Sequence, residues 1–166
     1  MTDNEPVKDE LKLPELQIEK LFYLEAILHK EIEIGDTGKG GHRVIYPIKG
    51  GFLKGAKING TIMDFGADWY MGYADNLGVV DTRYLLKTDD EKYISVRTDG
   101  RLVLNAKQEA ALDKGEFVDP KEYYFRQHLF FETSAEKYKW LNTVIAFAII
   151  GFKQSGEICY NAYIVK

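Results

Sequence analysis

The glycine spacing between residues 50 and 78 constrains the fold of this chain more than any other feature. Seven glycines fall there, among residues of high strand propensity. Glycine inside a strand marks a bulge, a tight bend or the close approach of two backbones. A sheet with so many bends must curve strongly, so this stretch predicts a strongly curved sheet. The glycines are Gly50, Gly51, Gly55, Gly60, Gly66, Gly72 and Gly78.

Strand patterns continue on both sides of the glycines. Residues 79–88 and 93–98 have high strand propensity on both arms and predict a β-hairpin around Asp89-Asp90-Glu91. Three later stretches rich in aromatic and β-branched residues predict three more strands. They are residues 123–131, 140–152 and 158–165.

One segment breaks the strand pattern. Asn105 is a suitable helix N-cap, Gln108 stands at the third helical position, and Gly115 is a suitable terminator. A short helix is therefore predicted over residues 105–114.

The segment from Ile18 to Ile34 supports two interpretations. Leu21, Leu24 and Leu28 have the spacing of a helix face, yet the apolar residues also share one face of a strand. The periodicity alone does not choose between them.

Many strands and a single helix predict an all-β fold: a single antiparallel β-barrel, similar in general form to lipocalin-like barrels. With 166 residues, 45% of them hydrophobic, the chain can bury the core of one domain. We predict the barrel over residues 13–166, after a flexible arm at residues 1–12. A barrel of about eight strands is either filled by side chains or able to hold one small ligand. That choice decides the function.

Composition argues against several classes of partner. A net charge of −4 and a pI near 5.5 argue against nucleic-acid binding. Cys159 is the only cysteine, which excludes an intrachain disulfide and favours a reducing cytoplasm. The longest apolar run, residues 144–152, is less than half of the roughly 20 residues that a membrane-spanning helix needs. It predicts a buried strand or a homo-oligomer contact. No metal or cofactor is predicted, because the three histidines are dispersed and nucleotide-binding motifs are incomplete.

Short motifs occur in a distinctive order along the chain. The motifs resemble those of uncharacterised protein family 0311, also called the domain-of-unknown-function 3237 family, from about Leu13 to Val165. The resemblance implies that residues 18–34 form a long strand, but it implies no specific reaction or ligand. The motifs are Gly50-Gly51-Phe52, Gly66-Ala67-Asp68-Trp69, Asp81-Thr82-Arg83-Tyr84, Thr88-Asp89-Asp90, Tyr123-Tyr124-Phe125-Arg126, Phe131-Glu132-Thr133 and Trp140-Leu141-Asn142.

Arginines are the first candidates for a binding site. Asp81 and Arg83 share one face of a predicted strand, where Arg83 could recognise an anionic or carbonyl oxygen and Asp81 could orient it. An exposed pair contributing about 0 to 1 kcal/mol is the alternative. Arg43, which resembles a family position, has the same two interpretations, as a pocket residue or as a rim residue.

Aromatic and ionisable residues alternate on a second predicted strand. Tyr124 and Arg126 share a face with His128 and Phe130, and this face extends to Glu132. Such a face suits a pocket wall, and it equally suits a solvent face with cation–π packing. Glu132 is a candidate general base if burial raises its pKa.

Two further motifs carry candidates. Asp68 and Trp69 are either a turn-stabilising acid and a core aromatic, or a proton acceptor and a stacking wall for a planar ligand. Trp140 and Asn142 share one face of the predicted strand 140–152, and an inward Asn142 would contact ligand or a buried partner.

These residues support three functional hypotheses. The first is a small-molecule-binding barrel that takes an aromatic or apolar ligand bearing a carbonyl, carboxylate or phenol. The second is a cofactor-free isomerase or cyclase, with Asp68 or Glu132 moving a proton and an arginine stabilising an oxyanion. The third is a filled barrel that acts through its surface.

Overall fold

Nine antiparallel strands form one continuous sheet, and eight of them close into a barrel. The structure, a computed structural model, describes residues 11–166. Most of the predicted flexible arm, residues 1–12, lies outside the described residues. The strands are β1 (Ile18–Leu28), β2 (Ile32–Asp36), β3 (Gly41–Lys54), β4 (Asn59–Tyr73), β5 (Leu77–Thr88), β6 (Tyr93–Val103), β7 (Tyr124–Glu132), β8 (Ala146–Phe152) and β9 (Ile158–Val165).

The barrel closes through β1, which pairs with β9 on one side and with β3 on the other. β2 lies outside the closed ring and extends the edge of β3. The predicted all-β barrel is confirmed. The strand interpretation of residues 18–34 is also confirmed, although residues 29–31 separate β1 from β2.

The glycines act where two backbones approach closely. A Cβ on Gly51 would lie 2.0 Å from the Glu25 carbonyl oxygen on β1, and one on Gly66 would lie 2.0 Å from the Arg83 carbonyl oxygen on β5. Both glycines also have positive φ, +142° and +103°. Register shifts between Pro47 and Gly51 and between Ile62 and Gly66 mark the bends in β3 and β4.

The two ends of the barrel differ. The β7–β8 connection contains a 3₁₀ helix, Glu136–Thr143, whose Tyr138 and Leu141 are buried and close one end. The β6–β7 connection, at the opposite end, contains α1 (Ala106–Asp113). Leu112 of α1 is half-buried and packs against the core. Glu109, Leu112 and Asp113 of α1 line an open cavity, whereas no residue of the 3₁₀ helix does.

The predicted helix over 105–114 is confirmed by α1 and its caps. The Asn105 side chain accepts a hydrogen bond from the Gln108 amide, and the Gln108 side chain accepts one from the Asn105 amide, each at 2.9 Å. Gly115 follows with φ +72°.

The predicted strand over 140–152 is wrong in its first part, because the strand begins only at Ala146. Tyr138 and Leu141 are three residues apart, and this spacing lets a 3₁₀ helix bury both side chains. Trp140 and Asn142 therefore do not share a strand face.

Across residues 11–166, no helix combines the length and the apolar character that a membrane crossing requires.

Candidate functional site

The inward side chains leave open space in the half of the barrel nearest α1. A chamber of about 60 Å³ lies inside the barrel, and a vestibule of about 390 Å³ lies between the barrel mouth and α1. Five residues line both spaces, so the chamber opens into the vestibule. They are Leu28, Asp68, Val80, Phe125 and Ile158.

The other half of the barrel is filled. Large, fully buried side chains such as Phe22, Leu86 and Ile94 occupy it together with Leu141 of the 3₁₀ helix. The barrel is therefore neither filled throughout nor hollow throughout: packed side chains form the floor of a pocket.

A row of polar side chains crosses four adjacent strands on the inner face. Tyr46 on β3 is opposite Asp68 on β4, Asp68 is opposite Thr82 on β5, and Thr82 is opposite Thr98 on β6. We call these four residues the polar row. Asp68, Thr82 and Thr98 line the chamber, and Asp68 and Tyr46 line the vestibule.

Thr98 ends the polar row with an unused hydroxyl. The residue is 0% exposed, and its Oγ1 has no hydrogen-bond partner among residues 11–166. A buried hydroxyl without a partner is costly. Because Thr98 lines the chamber, its hydroxyl is available to a polar group that enters there.

Asp68 lies where the chamber meets the vestibule. The Asp81 amide donates a hydrogen bond of 2.9 Å to its carboxylate. Burial raises the pKa of Asp68 to about 6, and this effect exceeds the opposing effects of the hydrogen bonds with the Asp81 amide and the Thr82 side chain. A carboxyl with this pKa can accept or donate a proton near neutral pH.

Two tyrosines meet at the floor of the chamber. The hydroxyls of Tyr84 and Tyr160 are in hydrogen-bond contact, and both residues line the chamber. Burial raises the pKa of both phenols well above 10, so both are neutral at neutral pH. They offer a neutral hydrogen-bonding pair to a ligand.

Carboxylates dominate the vestibule. Glu109, Asp113 and Glu116 line it from α1 and the following turn, while the one lysine lining it, Lys153, is paired with Glu25 at 2.9 Å. The pKa of Tyr46 is raised to about 12, mainly by burial and further by neighbouring groups that include Asp68. The mouth therefore has a negative potential.

The structure places the predicted arginines outside this cavity. Arg43, Arg83 and Arg126 lie on the outer face of the barrel, because their strand neighbours Val44, Tyr84 and Phe125 are buried. Arg43 donates a hydrogen bond to the Trp69 carbonyl oxygen. Their predicted role in ligand binding stays a prediction, and it does not concern this cavity.

The other predicted residues on β4, β5 and β7 also lie on the outer face. Trp69 is 41% exposed and Tyr124 is 53% exposed. Asp81 and Glu132 are exposed as well. Of the predicted catalytic candidates, the structure brings Asp68 into the cavity and leaves Glu132 outside it.

Asn142 and Trp140 belong to the closed end of the barrel. The Asn142 carboxamide accepts a hydrogen bond from the Thr133 amide and donates one to the Thr133 carbonyl oxygen, both at 2.9 Å. Trp140 is half-buried, with the Lys57 ammonium 5.5 Å from its ring centroid. These contacts hold the 3₁₀ helix across the end of the barrel.

Asn142→Ala is expected to lower the free energy of unfolding by about 1–3 kcal/mol, since both backbone groups of Thr133 lose their partner. Urea denaturation followed by circular dichroism measures this change. Ser134→Ala, at an exposed residue of the same connection whose side chain makes no hydrogen bond among residues 11–166, is the control and should change the value by less than about 0.5 kcal/mol. Equal losses of stability in the two variants would contradict the role of Asn142 in holding the 3₁₀ helix across the end of the barrel.

The sequence interpretation missed every polar residue of the chamber except Asp68: Thr82, Tyr84, Thr98, Gln127 and Tyr160. Thr98 and Gln127 are polar residues at inward positions between buried apolar ones, for example between Val96 and Leu102. An isolated polar residue within an apolar alternation was the one available signal.

Comparisons with known proteins agree with this architecture. The model of a family described as "Protein of unknown function (DUF3237)" matches residues 16–165. A UPF0311 protein of Clostridium acetobutylicum is 32% identical over 133 residues, which cover 80% of this chain and 84% of that protein.

Two solved structures share the fold. A β-barrel-like protein from Acinetobacter baumannii has a TM-score of 0.82 and 37% identity, covering 95% of this chain and 100% of that chain. An enzyme from Penicillium herquei has a TM-score of 0.70 over 95% of this chain and 99% of that chain. At 19% identity, the second likeness is one of fold alone.

Proposed function

We propose that this chain, which belongs to the DUF3237 family, is a small-molecule-binding β-barrel protein. Its ligand is aromatic or otherwise apolar and bears a phenol or carbonyl oxygen. The observation that carries the proposal is the half-buried Asp68 carboxyl at the junction of two connected cavities, in one row with the Thr98 hydroxyl, which has no partner among residues 11–166.

The dimensions of the two spaces support a ligand with a broad apolar body and a narrow polar end. The vestibule, about 390 Å³, is within the usual size range of small-molecule sites. The chamber, about 60 Å³, admits only a small group. A ring system in the vestibule could therefore place one oxygen near Asp68 and Thr98.

The charge of the mouth selects among the ligand oxygens that the sequence suggested. Glu109, Asp113 and Glu116 would repel a carboxylate, and among residues 11–166 no arginine lines either space. A phenol can donate a hydrogen bond to ionised Asp68, and a carbonyl can accept one from Thr98. A neutral ligand is therefore favoured over an anionic one.

A matched pair of compounds tests this proposal. 2-Naphthol and 2-naphthoate have the same ring system, but only the second is anionic at pH 7. In fluorescence titrations, 2-naphthol is expected to bind at least about tenfold more tightly than 2-naphthoate. Equal affinities, or tighter binding of 2-naphthoate, would contradict the ligand class.

An occlusion variant locates the binding. Ala26 lines the chamber, so Ala26→Leu should fill it and weaken 2-naphthol binding by about tenfold or more. Ala110→Leu, on the exposed side of α1, is the control and should leave the affinity unchanged. An unaffected Ala26→Leu variant would place the ligand elsewhere.

A second candidate function is a cofactor-free isomerase or cyclase that uses the same pocket. The pKa of Asp68, about 6, favours this candidate because such a carboxylate can accept a proton near neutral pH. The O–H group of the Tyr84–Tyr160 pair that is not used in their mutual hydrogen bond, rather than an arginine, would stabilise a developing oxyanion. Turnover of a bound compound should then be lost in Asp68→Asn while its binding persists. Turnover that survives in Asp68→Asn would remove this candidate.

Two further features of the molecule bear on its mode of action and its location. The open vestibule argues against a filled barrel that acts only through its surface. The single cysteine, Cys159, supports a cytoplasmic location, since a chain with one cysteine forms no internal disulfide.

A further inference from the structure

Four of the five arginines of the chain lie together on the outer face of β5, β6 and β7. Their strand neighbours point into the barrel, so these side chains point away from it. Such a concentration is unexpected in a chain with a net charge of −4. The four are Arg83, Arg97, Arg101 and Arg126.

Strand register arranges the charges of this outer face in rows of like sign. Arg83 is directly opposite Arg97, and Arg101 is directly opposite Arg126. Between these basic rows, Asp81 is directly opposite Asp99. Like charges in directly opposed positions destabilise a sheet, so these rows do not stabilise a single barrel.

Most of these charges have no ion-pair partner among residues 11–166. Asp99 and Arg101 form an ion pair at 2.6 Å. Within residues 11–166, Asp81, Arg83, Arg97 and Arg126 make no ion pair. The Arg97 guanidinium lies 4.0 Å from the Phe130 ring centroid, and that of Arg126 lies 5.2 Å from the Tyr124 ring centroid. Stacking on these rings limits the motion of both guanidiniums, and Arg126 donates one hydrogen bond of 2.8 Å, to the Phe125 carbonyl oxygen, which leaves its other N–H groups for a partner.

The rows follow one another along the strands in alternating sign. Glu132 on β7 comes first, then the Arg83–Arg97 row, then the Asp81–Asp99 row, then the Arg101–Arg126 row. Successive rows are about 6.8 Å apart, the distance spanned by two residues of a strand. The face is therefore a set of four evenly spaced bands.

We propose that this face is a two-fold interface with a second copy of the chain. The two-fold axis lies in the plane of the interface and runs perpendicular to the strands. It passes midway between the Arg83–Arg97 row and the Asp81–Asp99 row, and it exchanges those two rows. It also exchanges the Arg101–Arg126 row with the row of Glu132. Every basic row then meets an acidic group of the other copy.

The pairings under this axis are specific. Arg83 meets the second copy's Asp81, Arg97 meets the second copy's Asp99, and Arg126 meets the second copy's Glu132. Each pairing occurs twice, and packed sheets lie about 10 Å apart, a gap that two long side chains can bridge. Arginines held by stacking lose little further freedom when they pair.

The alternation of sign favours a second copy over other partners. A small anion or a uniformly acidic protein would meet Asp81 and Asp99 between the basic rows, and both carboxylates would repel it. The predicted homo-oligomer contact in residues 144–152 adjoins the same face, since Ile149 is opposite Arg126. Ile149 is 39% exposed and would add an apolar contact at the rim.

A charge swap tests the interface. Sedimentation equilibrium of the full chain should show a dimer whose dissociation constant rises at least about tenfold in Asp81→Arg and in Arg83→Asp. Under the two-fold axis these two residues face each other across the interface. The double variant, Asp81→Arg with Arg83→Asp, should therefore recover the original constant to within about threefold.

The remaining outcomes overturn the proposal. They are a wild-type monomer at all concentrations up to about 100 μM, single variants that dimerise as well as the wild type, or a double variant as weak as the single ones. Both side chains are exposed, so all variants should fold and keep the wild-type circular dichroism spectrum. A higher salt concentration should raise the dissociation constant of the wild-type dimer, and it should raise that of the double variant by the same factor.

Discussion

Gly51→Ala is expected to lower the free energy of unfolding by at least about 4 kcal/mol, a large fraction of the stability of a typical domain. The added Cβ would lie 2.0 Å from the Glu25 carbonyl oxygen and 2.9 Å from Ile62 Cδ1. Glu25 belongs to β1, whose backbone cannot move away without breaking the β1–β3 pairing that closes the barrel. The clash therefore weakens the β1–β3 pairing that closes the barrel.

Gly40→Ala is the matched control. Gly40 also has a positive φ, +80°, but nothing lies within 4 Å of the position that its Cβ would take. Only the backbone preference opposes that substitution, at a cost of about 1–2 kcal/mol. Urea denaturation of both variants, followed by tryptophan fluorescence, measures the difference. Similar losses in the two variants would contradict the role of close backbone approach in closing the barrel.

Asp68→Asn is expected to raise the free energy of unfolding by about 2 kcal/mol at pH 7.5. Burial raises the pKa of Asp68 from 3.8 to about 6, so keeping this carboxylate ionised in the folded barrel is costly. The expected gain in stability is smaller than the free energy that corresponds to the full pKa shift, because the Asp68 side chain faces an open cavity. Asparagine keeps an oxygen that can accept the hydrogen bond from the Asp81 amide.

The sign of the pH dependence follows from the raised pKa. The contribution of Asp68 to stability is fully present below its unfolded pKa, near 3.8, and is lost as pH rises through its folded pKa, near 6. The stability difference between Asp68→Asn and the wild type should therefore be small at pH 4 and should grow up to about pH 7. The other carboxyl groups titrate in the same way in both proteins, so their contributions cancel in the stability difference.

Asp64→Asn is the control for this prediction. Asp64 is exposed and is paired with His29 at 2.8 Å, so its replacement should change stability by about 0.5 kcal/mol or less. A wild type that is as stable as Asp68→Asn at pH 7.5 would show that Asp68 is not held in a costly ionised state.

Sequence patterns predicted the fold well where local physics decides the structure. The glycines of β3 and β4 predicted curvature because only glycine tolerates a carbonyl oxygen at Cβ distance. Asn105 and Gln108 predicted α1 because the capping box is a local set of hydrogen bonds. The strand predicted at 140–145 failed because burial of Tyr138 and Leu141 across the barrel end is a tertiary effect.

The binding site was harder to predict than the fold. Alternation correctly separated Arg83 from Tyr84 and Arg126 from Phe125, but it does not reveal which face is inward. Charged and aromatic residues drew attention to the outer face, whereas the chamber is lined, apart from Asp68, by apolar and uncharged polar residues. Asp68 was predicted from its motif, and Thr98 carried no motif at all.

Amide chemical-shift mapping with 2-naphthol tests the central claim, an open ligand site inside the barrel, most directly. The account predicts that 2-naphthol shifts the amide resonances of Asp68, Thr82 and Thr98 on the polar row and of Leu112 on α1. The outer-face residues Arg97 and His128 should serve as unshifted references at low protein concentration. Shifts confined to the outer face, or no shifts at saturating 2-naphthol, would contradict the account.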